Sequence, residues 1–188
     1  MNKKIYFALL ILLSVIFTGC SFTINDEIVT KTNIENKLEE GKLHFSSKTF
    51  NISAGESVYI KGVTVNDLYF YEQIYYAKTT GSSLDFTIEL YENGADVSNL
   101  EQITIYNMNR NNDTNISFNI YSNVSNVDLS NSTLLPIGAN FVGDKKFSDL
   151  ELLVEMIVLK RDTDYYMKIT NNNGGVLSIN SKWLFFEE

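Results

Sequence analysis

The chain has 188 residues, 44% of them hydrophobic and 13% aromatic, with 15 Lys and Arg against 23 Asp and Glu, one cysteine and one histidine. A single cysteine excludes a disulfide framework, and a single histidine excludes metal sites built on two imidazoles. The acidic balance argues against nucleic acid and against charge-driven attraction to anionic headgroups, and the length fits one domain.

The first element is a leader. Lys3 and Lys4 give a positive end, Ile5 to Phe17 is apolar except for Ser14, and Thr18-Gly19 lead into Cys20. That order reads as a secretory signal. The apolar run falls short of the roughly 20 residues that a helix needs to cross a bilayer. The Gly19-Cys20 step resembles a bacterial lipobox, whose cysteine takes a diacylglycerol and becomes the new N-terminus. That pattern prefers Leu three residues before the cysteine, and Phe17 stands there. The resemblance implies a signal peptide over 1–19, lipidation at Cys20, and anchorage at the bacterial envelope. Ser21 in place of Asp after the cysteine points to the outer membrane or cell surface over the inner membrane. The plain alternative is an ordinary signal with an incidental cysteine. An unpaired cysteine in an exported chain calls for a reason, and acylation supplies one. Loss of Lys3 and Lys4 with the leader leaves 13 basic against 23 acidic side chains.

Residues 20–41 read as a lipidated N-terminus and tether. A short helix over Ile34 to Glu40, stopped by Gly41, fits there, with little apolar face beyond Ile34 and Leu38. From 42 to 188 the signals are those of strands separated by turns. "KLHFSSKTFNI", "VYIKGVTV" and "LYFYEQIYYAKT" come first. "LDFTIELY" runs into Asn93-Gly94, a strong hairpin cue, and "QITIYN" and "ISFNIYS" follow. "ELLVEMIVLK", "YYMKIT" and "VLSINSKWLFF" read as an antiparallel meander. Ser148 with Glu151 could open a helix instead, but the β-branched run favours a strand. On the last strand Leu177, Ile179, Trp183 and Phe185 share one face. The expected fold is an all-β antiparallel sandwich, jelly-roll-like.

Little here points to catalysis. His44 sits in a strand-like run and reads as a core residue. No phosphate cradle or nucleophile elbow appears. Glycoside hydrolysis needs only two carboxyls about 5 to 10 Å apart, so a hydrolase stays as a remote alternative. "NNDTN" (111–115) and "RDTD" (161–164) offer oxygen ligands suited to calcium, though Asn and Asp favour turns on their own account. Five Asn-X-Ser/Thr triplets, at Asn51, Asn112, Asn115, Asn123 and Asn131, follow from the Asn-rich composition. The binding expectation rests on 68–77. Strict alternation puts Leu68, Phe70, Ile74 and Tyr76 on a core face interrupted by Glu72. It puts Tyr69, Tyr71, Gln73 and Tyr75 on the other face, as a surface for a glycan or protein ligand.

The second half carries a further likeness. Asn107-Met108-Asn109-Arg110 follows a strand. Leu159-Lys160 with Thr163 and Tyr165 forms a late strand, an Asn-Gly turn follows, and Trp183 to Glu187 falls on the final strand. In that order these pieces, over residues 84–187, resemble small phage virion-associated proteins. The resemblance implies an all-β, self-associating structural domain and a homo-oligomer. The leading expectation is a lipid-anchored, non-catalytic binding module, and the virion-like structural role is the alternative.

Overall fold

Two faces of alternating side chains need two sheets to share one core, and that is how the chain is arranged. The computed structural model describes residues 34–95, 100–109, 111, 115–144, 148–152 and 157–187. Sheet A holds β1 (Leu43–Ile52), β3 (Leu68–Thr79), β6 (Ile105–Asn107), β10 (Ser148–Leu152), β11 (Ile157–Leu159) and β13 (Leu177–Glu187). Its order is β10-β3-β13-β1-β6, with β11 also on β3. Sheet B holds β2 (Ser57–Thr64), β4 (Ser83–Glu92), β5 (Glu101–Gln102), β7 (Asn119–Ser122), β8 (Thr133–Leu134), β9 (Ala139–Asp144) and β12 (Thr163–Asn171). Its order is β5-β7-β2-β12-β4-β8, with β9 also on β4. The pairings are antiparallel. The quartet β1-β13-β3-β10 facing β2-β12-β4-β9 is a jelly-roll winding, so the expected all-β sandwich is the observed fold.

Two local expectations give way. β11, β12 and β13 are not a meander, because they lie in sheets A, B and A in turn. Asn93-Gly94 is not a hairpin either. Both edges of β4 are already taken, by β12 on one side and by β8 and β9 on the other. Asn93 takes the left-handed conformation (φ 61°), and the chain then passes over the outside of sheet B. The segment read as a strand in preference to a helix does supply strands, β10 and β11.

The core fills from the inward faces. β4 contributes Leu84, Phe86, Ile88 and Leu90, β12 contributes Tyr165, Met167 and Ile169, and β13 contributes Leu177, Ile179, Trp183 and Phe185. One irregularity resets β3. Leu184 pairs with Glu72 and Phe185 with Phe70, so Tyr71 is the extra residue of a β-bulge. The bulge shifts the phase of alternation by one, and the strand buries Leu68 and Phe70, then Gln73, Tyr75 and Ala77.

A short helix, α1 (34–39), packs on the outside of sheet A. Gly41 (φ 71°) ends it. The Gly41 N–H donates to Leu38 O (3.1 Å) and the Lys42 N–H to Lys37 O (2.9 Å), a Schellman pair that satisfies the last carbonyls. The Lys37 ammonium lies 4.9 Å from the centre of the Phe186 ring. The Asn109 amide reaches Glu39 O at 3.1 Å, and the Asn107 amide reaches Gly41 O at 2.7 Å. The stretch read as the end of the tether, from residue 34 on, is therefore fastened to the sandwich.

Candidate functional site

The four residues expected to form one aromatic face do not share a face. Tyr69 lies outside sheet A and stacks on Phe186, with ring centroids 4.9 Å apart. Tyr71 is the half-buried bulge residue. Gln73 (6% exposed) and Tyr75 (1% exposed) are inside the sandwich. The Tyr75 hydroxyl donates to Gln73 Oε1 at 2.7 Å and sits 3.4 Å from Met167 Sδ. Burial drives the Tyr75 phenol far above its ordinary pKa. The cause of the misplacement is the bulge, since strict alternation cannot anticipate an extra residue.

Of the two carboxylates of "RDTD", Asp164 is engaged elsewhere, and so is the arginine. Arg161 clasps Asp67, its N–H and guanidinium reaching both carboxylate oxygens at 2.9 to 3.3 Å. Asp164 pairs with Lys61 at 2.6 Å. Among the described residues no three His, Cys, Asp or Glu side chains come together to hold a metal ion. Residues 112–114 of "NNDTN" and the lipobox Cys20 lie outside the described residues. His44 is buried in β1, its ring stacked 6.4 Å from Phe185.

A tyrosine-rich surface does exist, on the outside of sheet B. Register places Tyr121 beside Lys61, Lys61 beside Tyr166, and Tyr166 beside Tyr91. The next row holds Tyr59, Lys168 and Glu89. Part of it is roofed. Tyr166 is fully buried beneath the segment that follows β4, and its hydroxyl donates to Ala95 O at 3.2 Å. The Ala95 N–H in turn donates to Asp128 O at 2.9 Å. A side chain at Gly94 would fall 2.6 Å from the Tyr166 ring, so only glycine lets the backbone lie flat there. Beneath this strap the Lys61 ammonium sits 5.5 Å from the centre of the Tyr166 ring. Burial presses Lys61 down, but Asp164 and Tyr166 outweigh it and its pKa rises.

A groove opens beside this surface and shares Glu89 with it. β8 pairs with Tyr91 and Glu92, whereas β9 pairs with Ser83 to Ile88. Between them the Leu135 N–H still donates to Leu90 O at 2.8 Å, and then Pro136, which lacks an N–H, interrupts the ladder. The result is a groove of about 400 Å³ lined by Thr87, Glu89, Leu134, Pro136 and Asn140, among others. Glu89 Oε2 meets Lys168 Nζ at 3.2 Å. Burial, then the charge and hydrogen bond of Glu89, raise the Tyr91 phenol, with Lys168 pulling the other way. Burial lowers Lys168, but Glu89, Tyr59 and Tyr91 raise it further, so it stays cationic. Among the described residues lining this groove, Glu89 is the one acid. The cavity between the sheets, walled by Phe70, Phe118, Met167 and Trp183, is about 40 Å³. A space that small, with apolar walls, is a packing defect and not a ligand chamber.

The sequence held part of this signal. Asp85, Thr87, Glu89 and Tyr91 alternate as the polar side of "LDFTIELY", but which strands would stand beside them was not written locally. No protein-family model matches this chain, and no curated protein is significantly similar to it. Among the described residues no helix is long and apolar enough to cross a membrane.

Proposed function

We propose that this chain is a non-catalytic binding module of the bacterial envelope, held at the membrane by a lipidated Cys20, which binds a glycan in the groove beside Glu89. The groove is the observation that carries this reading. One wall is apolar, with Leu134 and Pro136, and the floor offers the Glu89 carboxylate, the Thr87 hydroxyl and the Asn140 amide. A sugar ring has the complementary surface, with C–H groups on one face and directional hydroxyls at its rim. Sites of this kind draw affinity from apolar lining and orientation from a few polar groups. The carboxylate is the strongest acceptor present, since hydrogen bonds to an ionised partner are about twice as strong as neutral ones. A hydrolase would need a second carboxyl across the bond to be cleaved, and Glu89 has none among the described lining residues.

The test is a glycan array probed with the full chain in detergent, followed by titration of the hits against Glu89→Gln and Asn140→Ala. Glu89→Gln should weaken binding about tenfold, the loss of one charge-assisted bond. Binding indifferent to both substitutions would remove the groove from consideration.

A second reading, the self-associating domain suggested by the virion-like order of motifs, draws on β9. Among the described residues this strand is paired on one edge, with β4, and it presents Val142 at 76% exposure. An open apolar edge is a template for another chain. Light scattering on Val142→Lys would test it, because a β9-mediated oligomer should fall to monomer.

A further inference from the structure

The outside of sheet A carries an apolar band that the glycan reading does not use. Antiparallel register sets Met108, Leu43, Phe186, Tyr69 and Val158 in one row across the sheet. Tyr106, Phe45 and Leu184 form the row beside it. Helix α1 covers the middle, leaving Leu43 and Phe186 buried. The flanks stay open, with Tyr106 at 59%, Val158 at 49% and Met108 at 46% exposed. Two ammonium groups lie along aromatic rings here, Lys37 over Phe186 and Lys182 over Tyr76 at 4.9 and 4.8 Å. Tyrosine bodies with wet hydroxyls, and lysines with apolar stems, are the side chains that settle at a lipid–water boundary.

We infer that this face lies against the bilayer that holds the anchor, with Tyr106, Met108, Phe45, Leu184, Tyr69 and Val158 at the headgroup level and the sheet B groove turned away. The inference rests on the proposed lipidation of Cys20. The chain joins the sandwich through α1, on this face and not on sheet B. Only 13 residues lie between Cys20 and Ile34, so this junction stays within about 50 Å of the lipid. A surface held that close needs little affinity of its own to be occupied. The contact is aromatic and apolar and not charge-driven, in keeping with the acidic chain, so added salt should leave it in place.

The test uses the full chain expressed in a bacterium and reconstituted into vesicles of phosphatidylethanolamine with a minority of phosphatidylglycerol. Lipidation blocks Cys20, so a single new cysteine takes a nitroxide alone. Tyr106→Cys reports on sheet A and Asn140→Cys on sheet B, both exposed positions that tolerate a label. On transfer from detergent to vesicles, the label at 106 should lose most of its collisions with an aqueous nickel relaxant and gain collisions with oxygen. The label at 140 should keep its aqueous collisions. Protein that floats with the vesicles while both labels stay equally wet would overturn the orientation and leave the anchor standing. A dry label at 140 with a wet one at 106 would overturn it as well. Protein that fails to float would overturn the anchor and this inference together.

Discussion

The Tyr75 hydroxyl donates to Gln73 Oε1 at 2.7 Å, across two residues of one strand, and both side chains are sealed between the sheets. Each satisfies the other, which is what a buried polar pair requires. Tyr75→Phe should therefore cost about 1 to 3 kcal/mol, because it leaves the Gln73 amide oxygen buried without its donor. Tyr106→Phe, at an exposed position on the outside of sheet A, should change stability by less than about 0.5 kcal/mol. Urea denaturation of both variants measures the contrast. Equal, small effects would mean that Tyr75 is not in the core.

That pair also shows how far the sequence could be read. Strand content, the turns and the sidedness of β13 were legible, because alternation with period two survives in any sandwich. β3 was misread at one residue. Glu72 was the clue: strict alternation from Phe70 buries it, whereas an extra residue at Tyr71 sends Glu72 and Lys78 outward together. A bulge is chosen by the opposing strand, and nothing in 68–77 names β13 as that strand. The groove was hidden for the same reason. Glu89 and Lys168 are 79 positions apart, and only the pairing of β4 with β12 brings them to 3.2 Å. Asn93-Gly94 announced a change of direction, but its destination depended on strands that come later in the chain.

His44 makes stability depend on acid. Burial lowers its pKa, and the charge of Glu187 offsets part of that. The unfolded chain then takes a proton near pH 6.5 while the folded chain still refuses it. Stability contributed by the neutral ring is complete above about pH 6.5 and is lost as pH falls through the depressed folded value. The urea midpoint should drop between pH 7 and pH 5.5. His44→Phe removes the one histidine and should flatten that drop. An unchanged slope in the variant would assign the acid sensitivity to carboxylates instead.

At the alkaline end several groups act in one direction. Burial leads the rise of Tyr91 and Tyr165, while Lys61 and Lys168 rise through their acidic partners against the pull of burial. A raised phenol resists losing its proton when folded, and a raised ammonium resists likewise. Both contribute stability that is full below about pH 10 and fades as pH climbs through the raised values. Phenolate absorbance should therefore lag in the native chain relative to the chain in urea, with buried Tyr75 ionising only on unfolding. Superimposable titrations of the two states would contradict this.

Adjacent glycines in "NNNGG" provide the sharpest test of the loop that carries the chain from β12 to β13. Asn171 is fully buried, and its amide donates to Ile52 O, Ser53 O and Gly175 O at 2.9, 3.1 and 2.7 Å. Gly175 and Gly81 meet backbone to backbone, so a methyl group at 175 would strike the Gly81 N–H and Cα. Main chain cannot swing aside as a side chain can, and Gly175→Ala must move the whole arch off the turn after β3. A loss of about 3 kcal/mol is expected. Gly174, one residue earlier, has open space around it, and Gly174→Ala should stay within about 0.5 kcal/mol of the parent. Thermal melts of the two alanine variants, side by side, separate contact from flexibility. Equal losses would mean that backbone freedom matters at this turn and that the approach to Gly81 does not.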